Sequence, residues 1–185
     1  MVTRERKQMQ KQKITAKINA MKKTTKINED GSAEQQHHAT LVEQILHNLK
    51  DIREASNEEE LEEVAASVLL ALTDIQVRDY LLGLMTTENK DKSWELCTWL
   101  TEITPVRYMN APASLLGLLY YENNDKFTAQ EWLGKTKGYS LAALLNRVIE
   151  SDWPAGSFEE MRMELHPKVK AGIFGEVTDD NSNKE

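Results

Sequence analysis

Apolar residues recur along this chain at intervals of three and four positions, the spacing that places side chains on one face of an α-helix. The clearest of these apolar stripes lie within residues 41–52, 61–72, 77–84 and 94–100. No segment shows the sustained alternation of apolar and polar positions that marks a half-buried β-strand. The pattern therefore predicts an all-α fold, a multi-helix body built of short antiparallel helical hairpins.

Helix-capping residues divide these stripes into separate helices. A Ser or Thr followed three residues later by Glu can form a capping box, in which each side chain bonds a backbone N–H of the first turn. That spacing occurs at Thr40 and Glu43, at Thr128 and Glu131, and at Ser157 and Glu160. Ser56 or Asn57, Asp74 and Ser140 are further candidate caps, and Pro105 and Pro112 mark helix boundaries. We therefore expect helices to begin close to these residues.

The first 38 residues differ from the rest in composition. Residues 1–28 contain nine Lys or Arg against one Glu, a charge of +8, so the net charge of −7 leaves −15 for the remainder. Ile14, Ile18 and Met21 form one narrow apolar stripe, which is too little to stabilise an isolated helix. We therefore expect a flexible basic N-terminal arm over residues 1–38, disordered or partly helical, then an α-helical domain over 39–174 and a disordered acidic tail over 175–185.

Composition also restricts the cellular setting. The single cysteine, Cys97, excludes an internal disulfide framework and is typical of a reducing compartment. The basic N-terminus lacks the apolar segment of a signal peptide, and no apolar run has the length of a membrane span. We expect a cytoplasmic protein that does not insert stably into membranes.

Within residues 113–140 the chain resembles a tetratricopeptide repeat, a pair of antiparallel helices. Gly117, Tyr120 and Ala129 fall at the offsets that the repeat uses for a small residue, an aromatic residue and an alanine between its helices. Asn124 stands where the repeat favours glycine. The resemblance implies a helical hairpin of that geometry and a surface that binds other proteins.

A second resemblance covers more of the chain. The segment LTDIQVRDYLLGLM (72–85), the alanine- and proline-containing helix over 111–122 and the segment 139–154 resemble the helical C-terminal half of an actinobacterial family, known as domain of unknown function number four-one-nine-two. The resemblance spans residues 61–154 and implies that the basic arm replaces the N-terminal half of the family. It implies a fold and an order of helices, and no activity.

Asp74, Arg78 and Asp79 are the most suggestive polar group, because they lie in an otherwise apolar helix. As a catalytic trio they would occupy a polar cleft. As structural residues, Asp74 would cap the helix and pair with Arg78 four positions on, with Asp79 in solvent. We favour the structural interpretation, since ion pairs at helix ends are common.

Other candidate catalytic and metal-binding groups lack the partners that they would need. His37 and His38 are adjacent, and only Glu43 and His47 share a helix face, so these residues offer no obvious closed arrangement of four ligands for a structural zinc site. Ser140 has neither the preceding strand nor the following glycine of a nucleophile elbow. We expect no enzyme activity, no metal and no cofactor.

Aromatic residues concentrate in the second half of the chain and indicate a protein-binding surface. Tyr120 and Tyr121 are adjacent, so a helix cannot bury both equally, and Trp132 lies in the next predicted helix. Aromatic side chains dominate the hot spots of protein interfaces. We predict a non-enzymatic adaptor that binds a protein partner through Tyr120, Tyr121 and Trp132.

The basic segment supports an alternative function. Its lysines could neutralise phosphates, and without aromatic residues to stack on bases they would bind nucleic acid with no sequence preference. The lysines concerned are Lys11, Lys13, Lys17, Lys22, Lys23 and Lys26. In this alternative the protein is a nucleic-acid-associated accessory or regulatory protein, and raised salt would abolish its binding.

Overall fold

The computed structural model describes residues 3–24 and 31–175. Its helices are α1 (Arg4–Thr24), α2 (Ser32–Ala55), α3 (Glu58–Ala71), α4 (Ile75–Leu84), α5 (Lys90–Ile103), α6 (Asn110–Glu122), α7 (Lys126–Leu133), α8 (Ser140–Glu150) and α9 (Ala155–Phe174). Short 3₁₀ turns, Thr87–Asn89 and Val106–Tyr108, precede α5 and α6. These residues contain no β-strand, so the predicted all-α class is confirmed.

The apolar stripes meet in one continuous core. In the first half of the chain, α2 packs against α3, α4 and α5, and in the second half α6 packs against α5, α7 and α8. Helix α9 returns to lie along α4 and also touches α2 and α6. The leucines with little or no exposed surface in the predicted stripes and the sixth helix include Leu46, Leu69, Leu81, Leu96, Leu100 and Leu115.

The basic segment is a helix that packs on the body. Ile14 and Ile18 of α1 are 0 % exposed, and α1 lies along the acidic helix α3. Arg6 Nη2 lies 2.7 Å from Glu58, and Lys17 Nζ lies 3.1 Å from Glu63. The expectation of a flexible arm is therefore wrong for residues 4–24, because the apolar stripe finds a surface on the body and the basic face meets opposite charge.

The predicted boundary between arm and domain is also displaced. Helix α2 begins at Ser32, directly after Gly31, whose φ of 63° suits a residue without a side chain. Thr40 consequently lies inside a helix and caps nothing. Lys26 and residues 176–185, which include nearly all of the predicted acidic tail, lie outside the described residues.

Two of the predicted caps are present, and the helices for which the others were predicted begin at earlier residues. Asn57 accepts a hydrogen bond from the backbone N–H of Glu60 in a complete capping box, and Asp74 caps α4. The caps predicted at Thr128, Ser140 and Ser157 are wrong, since Asp125, Tyr139 and Pro154 occupy those positions. The spacing of a capping box is short enough to occur by chance, and the turn before the helix decides which residue is used.

Helices α6 and α7 form the predicted hairpin. A Cβ on Gly117 would lie 3.0 Å from Leu133 Cγ and 3.2 Å from the carbonyl oxygen of Ala129, so a larger residue would require these neighbours to move apart. Asn124, with φ of 62°, makes the left-handed turn between the two helices. The relation of this hairpin to tetratricopeptide repeats stays a prediction.

Candidate functional site

A groove with a volume of about 230 Å³ lies between α4, α8 and α9, and we call it the α4–α8–α9 groove. Its walls are mainly apolar and comprise Leu82, Leu141, Leu144, Phe158, Met161, Leu165 and Val169. Leu144 and Leu165 are 38 % and 46 % exposed. Two large aliphatic side chains therefore remain accessible beside an apolar cavity.

The local sequence explains why a cavity forms here. Leu141, Leu145 and Val148 of α8 form a buried stripe, and Leu144 falls beside this stripe. Helix α9 has only three buried residues, so it covers α4 incompletely. Its exposed face includes Met163 as well as Leu165. The space between the two helices is consequently not filled by side chains of the described chain.

Arg78 lines the groove and is 5 % exposed. Its Nε and Nη2 donate to Asp79 Oδ1 at 2.8 and 2.6 Å, and its guanidinium lies 5.2 Å from the centre of the Tyr139 ring. One donor of this buried cation, Nη1, has no acceptor among the described residues.

Asp74 has a structural role apart from Arg78. Its Oδ1 accepts hydrogen bonds from the backbone N–H groups of Gln76 and Val77, at 2.8 and 3.3 Å, and its Oδ2 accepts one from Gln35. The predicted cap is therefore confirmed. The predicted ion pair between Asp74 and Arg78 is wrong, because Arg78 pairs with Asp79, which was expected in solvent.

His166 of α9 lies at another part of the groove wall. Its ring stacks on Tyr80 at 5.2 Å between centroids, and its Nδ1 has no hydrogen-bond partner in the part of the chain that the structure describes. Burial, with the charge of Lys170, lowers the pKa of His166, which favours the neutral ring. The Tyr80 hydroxyl donates to Glu43 at 2.7 Å. The pKa of Tyr80 is raised mainly by burial and, to a smaller extent, by this hydrogen bond.

Arg162 forms part of the groove floor but already has its partners. Its guanidinium donates to the carbonyl oxygens of Leu82 and Met85, at the end of α4, and to Glu122 at 2.6 Å. Burial raises the pKa of Glu122, while Arg162 opposes that shift. No sequence motif predicted a role for Arg162, although its position four residues after Phe158 places it on the buried face of α9.

The three aromatic residues predicted to bind a partner lie away from the groove. Tyr121 is 1 % exposed and its hydroxyl donates to the carbonyl of Trp153, so its assignment to an accessible surface is wrong. Tyr120 is half-buried and packs edge-on against Trp94. Trp132 is half-buried beneath Lys135. A partner role for Tyr120 and Trp132 stays a prediction.

The predicted phosphate-binding lysines are partly engaged within the protein. Lys13 lies 3.7 Å from Glu62, and Lys17 contacts two glutamates of α3. Lys22 donates to the Tyr108 hydroxyl at 3.4 Å. Lys11 is half-buried and Lys23 is exposed. A substantial part of the basic charge therefore faces the acidic helix.

The remaining candidates offer little chemistry. Cys97 is fully buried, and burial raises the pKa of its thiol to about 12, which disfavours a reactive thiolate. Within residues 3–24 and 31–175, no three His, Cys, Asp or Glu side chains lie where they could hold a metal ion, and His37, His38, His47 and Glu43 form no such group. In the same residues, no helix combines the length and the apolar character needed to cross a membrane.

One comparison with known proteins gives a match. A family model described as Domain of unknown function (DUF4192) matches residues 1–154, which include α1 and every helix up to α8. The predicted resemblance to this family is confirmed, but it begins at residue 1, so the basic helix belongs to the matched segment. Helix α9, one wall of the groove, follows that segment. No curated protein and no solved structure matches the chain.

Proposed function

Because this chain belongs to the DUF4192 family, whose description assigns no activity, we propose a function from the geometry of its groove. The protein is a non-enzymatic helical interaction module, an adaptor that binds a segment of a protein partner. The binding site is the α4–α8–α9 groove, in place of the surface around Tyr120, Tyr121 and Trp132 that the sequence suggested.

The observation that carries this proposal is an apolar cavity flanked by accessible leucines. Leu144 and Leu165 remain exposed beside a cavity whose walls are mainly apolar. Burying one such side chain against a partner would contribute about 1.5–3 kcal/mol. Apolar surface next to a concave pocket is typical of sites where a partner inserts its own side chains.

The size of the groove favours a protein segment over a small molecule. Sites for drug-sized ligands usually have volumes of roughly 300–1,000 Å³. The groove has about 230 Å³, whereas an apolar cavity of roughly 150 Å³ already holds one benzene ring. It therefore suits one or two apolar side chains, with the rest of the segment lying across Leu144 and Leu165.

The ion pairs of α1 weigh against the nucleic-acid alternative. Lys13 and Lys17 face glutamates of α3, so these charges are partly neutralised before any phosphate approaches. The strength of non-specific nucleic-acid binding depends on the number of phosphates that a protein can neutralise. We therefore favour the α4–α8–α9 groove as the binding site, in preference to the basic residues of α1.

The test is selection of peptides from a random display library on the immobilised full chain. We expect selected peptides to bind at least tenfold more weakly to Leu144→Asp and to Leu165→Asp, because a carboxylate on the rim cannot be buried against an apolar side chain. Met163→Asp is the matched control: Met163 is exposed on α9 and outside the groove, and this variant should bind as the parent does.

The result that would overturn the proposal is equally definite. If no peptide is selected, or if the selected peptides bind both leucine variants as tightly as the parent, the groove is not the binding site. Circular dichroism and thermal unfolding of each variant would establish that the comparison is made between folded proteins.

A further inference from the structure

The unpartnered donor of Arg78 is the first of two features that select the chemistry of the occupant. The side chain is 6 % exposed, and Asp79 satisfies Nε and Nη2 while Nη1 stays without an acceptor among the described residues. Buried polar groups in native proteins nearly always have a partner, and hydrogen bonds to charged groups are the strong ones. The position therefore calls for an acceptor supplied from outside.

The N-terminus of α8 is the second feature. Tyr139 occupies the N-cap position and makes no side-chain capping bond, so the N–H groups of the first turn lack the usual cap. Ser140 and Leu141, the first residues of α8, line the groove together with Arg78. Since the Tyr139 ring also covers the guanidinium of Arg78, the helix start and the cation lie at the same end of the groove.

These two features match a carboxylate. Free N–H groups at a helix start and a guanidinium both favour an anion that can accept several hydrogen bonds. Asp79 lines the same end and its side chain is 35 % exposed, so its own charge opposes a second anion. One available guanidinium nitrogen beside a carboxylate suits a singly charged group better than a doubly charged phosphate.

We propose that the segment bound in the groove carries a carboxylate next to its apolar anchors, from an Asp, a Glu or the end of the chain. The carboxylate accepts hydrogen bonds from Arg78 Nη1 and from the first turn of α8. The apolar side chains lie against Leu141, Phe158 and Leu165. This assignment rests on the proposed function, because it names the class of segment that the groove binds.

The test compares each selected peptide with its neutral counterpart, in which Asp becomes Asn, Glu becomes Gln or the chain end is amidated. We expect the neutral peptide to bind the full chain about tenfold or more weakly, because it loses a charge-assisted hydrogen bond. Arg78→Gln should remove this preference. Since Arg78 is buried and that variant can fail to fold, a second variant at an exposed position is needed.

Ser140→Glu is that second variant. Ser140 is exposed at the first position of α8, where a negative charge favours the helix dipole, so the fold should be retained. The new carboxylate would occupy the site and repel the peptide's own, so acidic peptides should lose at least about tenfold more affinity than their neutral counterparts lose. Thr98→Glu adds the same charge on the exposed face of α5 and is the matched control.

Each outcome separates this assignment from the proposed function. If binding depends on Leu144 and Leu165 but acidic and neutral peptides bind equally, the carboxylate assignment is wrong and the groove remains the site. If neither Leu144→Asp nor Leu165→Asp weakens peptide binding, the proposed function itself is wrong. Octanoate serves as the probe for a free acid: binding as tight as that of the peptides, and lost in Ser140→Glu, would overturn the assignment to a protein segment.

Discussion

Gly83 of α4 lies against the ring of His166 of α9. A Cβ at position 83 would overlap the ring and would lie 2.8 Å from His166 Cβ, closer than side chains approach one another. The absence of a side chain at this position is therefore what allows α9 to lie along α4 at its present distance. The groove depends on that distance, because His166 and Gly83 both line it.

Gly83→Ala should lower the free energy of unfolding by about 1–3 kcal/mol, the usual cost of overpacking a close contact. Combined with His166→Ala, which removes the ring but keeps the Cβ, the same substitution should cost at least about 1 kcal/mol less. Urea unfolding of the four proteins in the cycle measures this coupling.

Gly156→Ala provides the control for that experiment. A Cβ at Gly156, also in a helix, would meet nothing within 4 Å, so alanine should be neutral or stabilising by up to about 1 kcal/mol. Equal losses at the two glycines would contradict the assigned contact between Gly83 and His166.

At the scale of secondary-structure elements, α1 has a narrow apolar stripe that is stabilised by packing on α3. Its surface ion pairs are exposed and screened by salt, so they stabilise little, whereas each buried isoleucine contributes about 1.5–3 kcal/mol. Arg6 and Glu58, for example, have side chains that are 60 % and 45 % exposed. The apolar contacts of Ile14 and Ile18 therefore dominate, and the charges select which helix α1 meets.

Ile18→Asp should release α1 from the body. The basic residues of α1 would then become accessible, and we expect trypsin to cleave there at least about tenfold faster than in the parent, since cleavage follows the population of the open form. Ala16→Asp is the matched control, with the same charge at an exposed position of the same helix.

Salt distinguishes the apolar from the electrostatic account of α1. In roughly 1 M salt, where the Debye length is about 3 Å, the parent should remain resistant to trypsin. Rapid cleavage of the parent in salt would mean that the ion pairs, and not the isoleucines, hold α1 in place.

At the scale of the whole molecule, Arg162 connects helices that are distant in sequence. It bonds the last carbonyls of α4 and the Glu122 carboxylate at the end of α6 from its place on α9. Glu122 and Arg162 have side chains that are 15 % and 2 % exposed. Removing one member would leave a buried charge without its partner, which is costly.

Arg162→Met should therefore lower the free energy of unfolding by about 3–5 kcal/mol. Adding Glu122→Gln should recover part of that loss, because the uncompensated charge is removed. Chemical denaturation measures both effects, and Arg147→Met, at an exposed position of α8, controls for the loss of one arginine. If the double variant is no more stable than Arg162→Met, the unpaired charge is not the source of the cost.

Several features of this protein could be predicted without its tertiary structure. The all-α class, the hairpin of α6 and α7, and the caps at Asn57 and Asp74 follow from spacing within a few residues, because helix formation and capping are local. The predicted caps at Thr128, Ser140 and Ser157 are wrong for a related reason. Asp125 makes the bond in place of Thr128, whereas α8 and α9 begin after Tyr139 and Pro154 with no side-chain cap, because the path of the preceding chain sets where each helix begins.

The sequence by itself thus determined that the chain folds into amphipathic helices, and where most of their buried faces lie, since both depend on periodicity along the chain. Only the tertiary structure decided which helices and side chains contact one another across the fold. It placed α1 on α3, paired Arg78 with Asp79 instead of Asp74, and left the groove between α4, α8 and α9. These outcomes depend on distances between helices that are far apart in sequence, which no local pattern specifies.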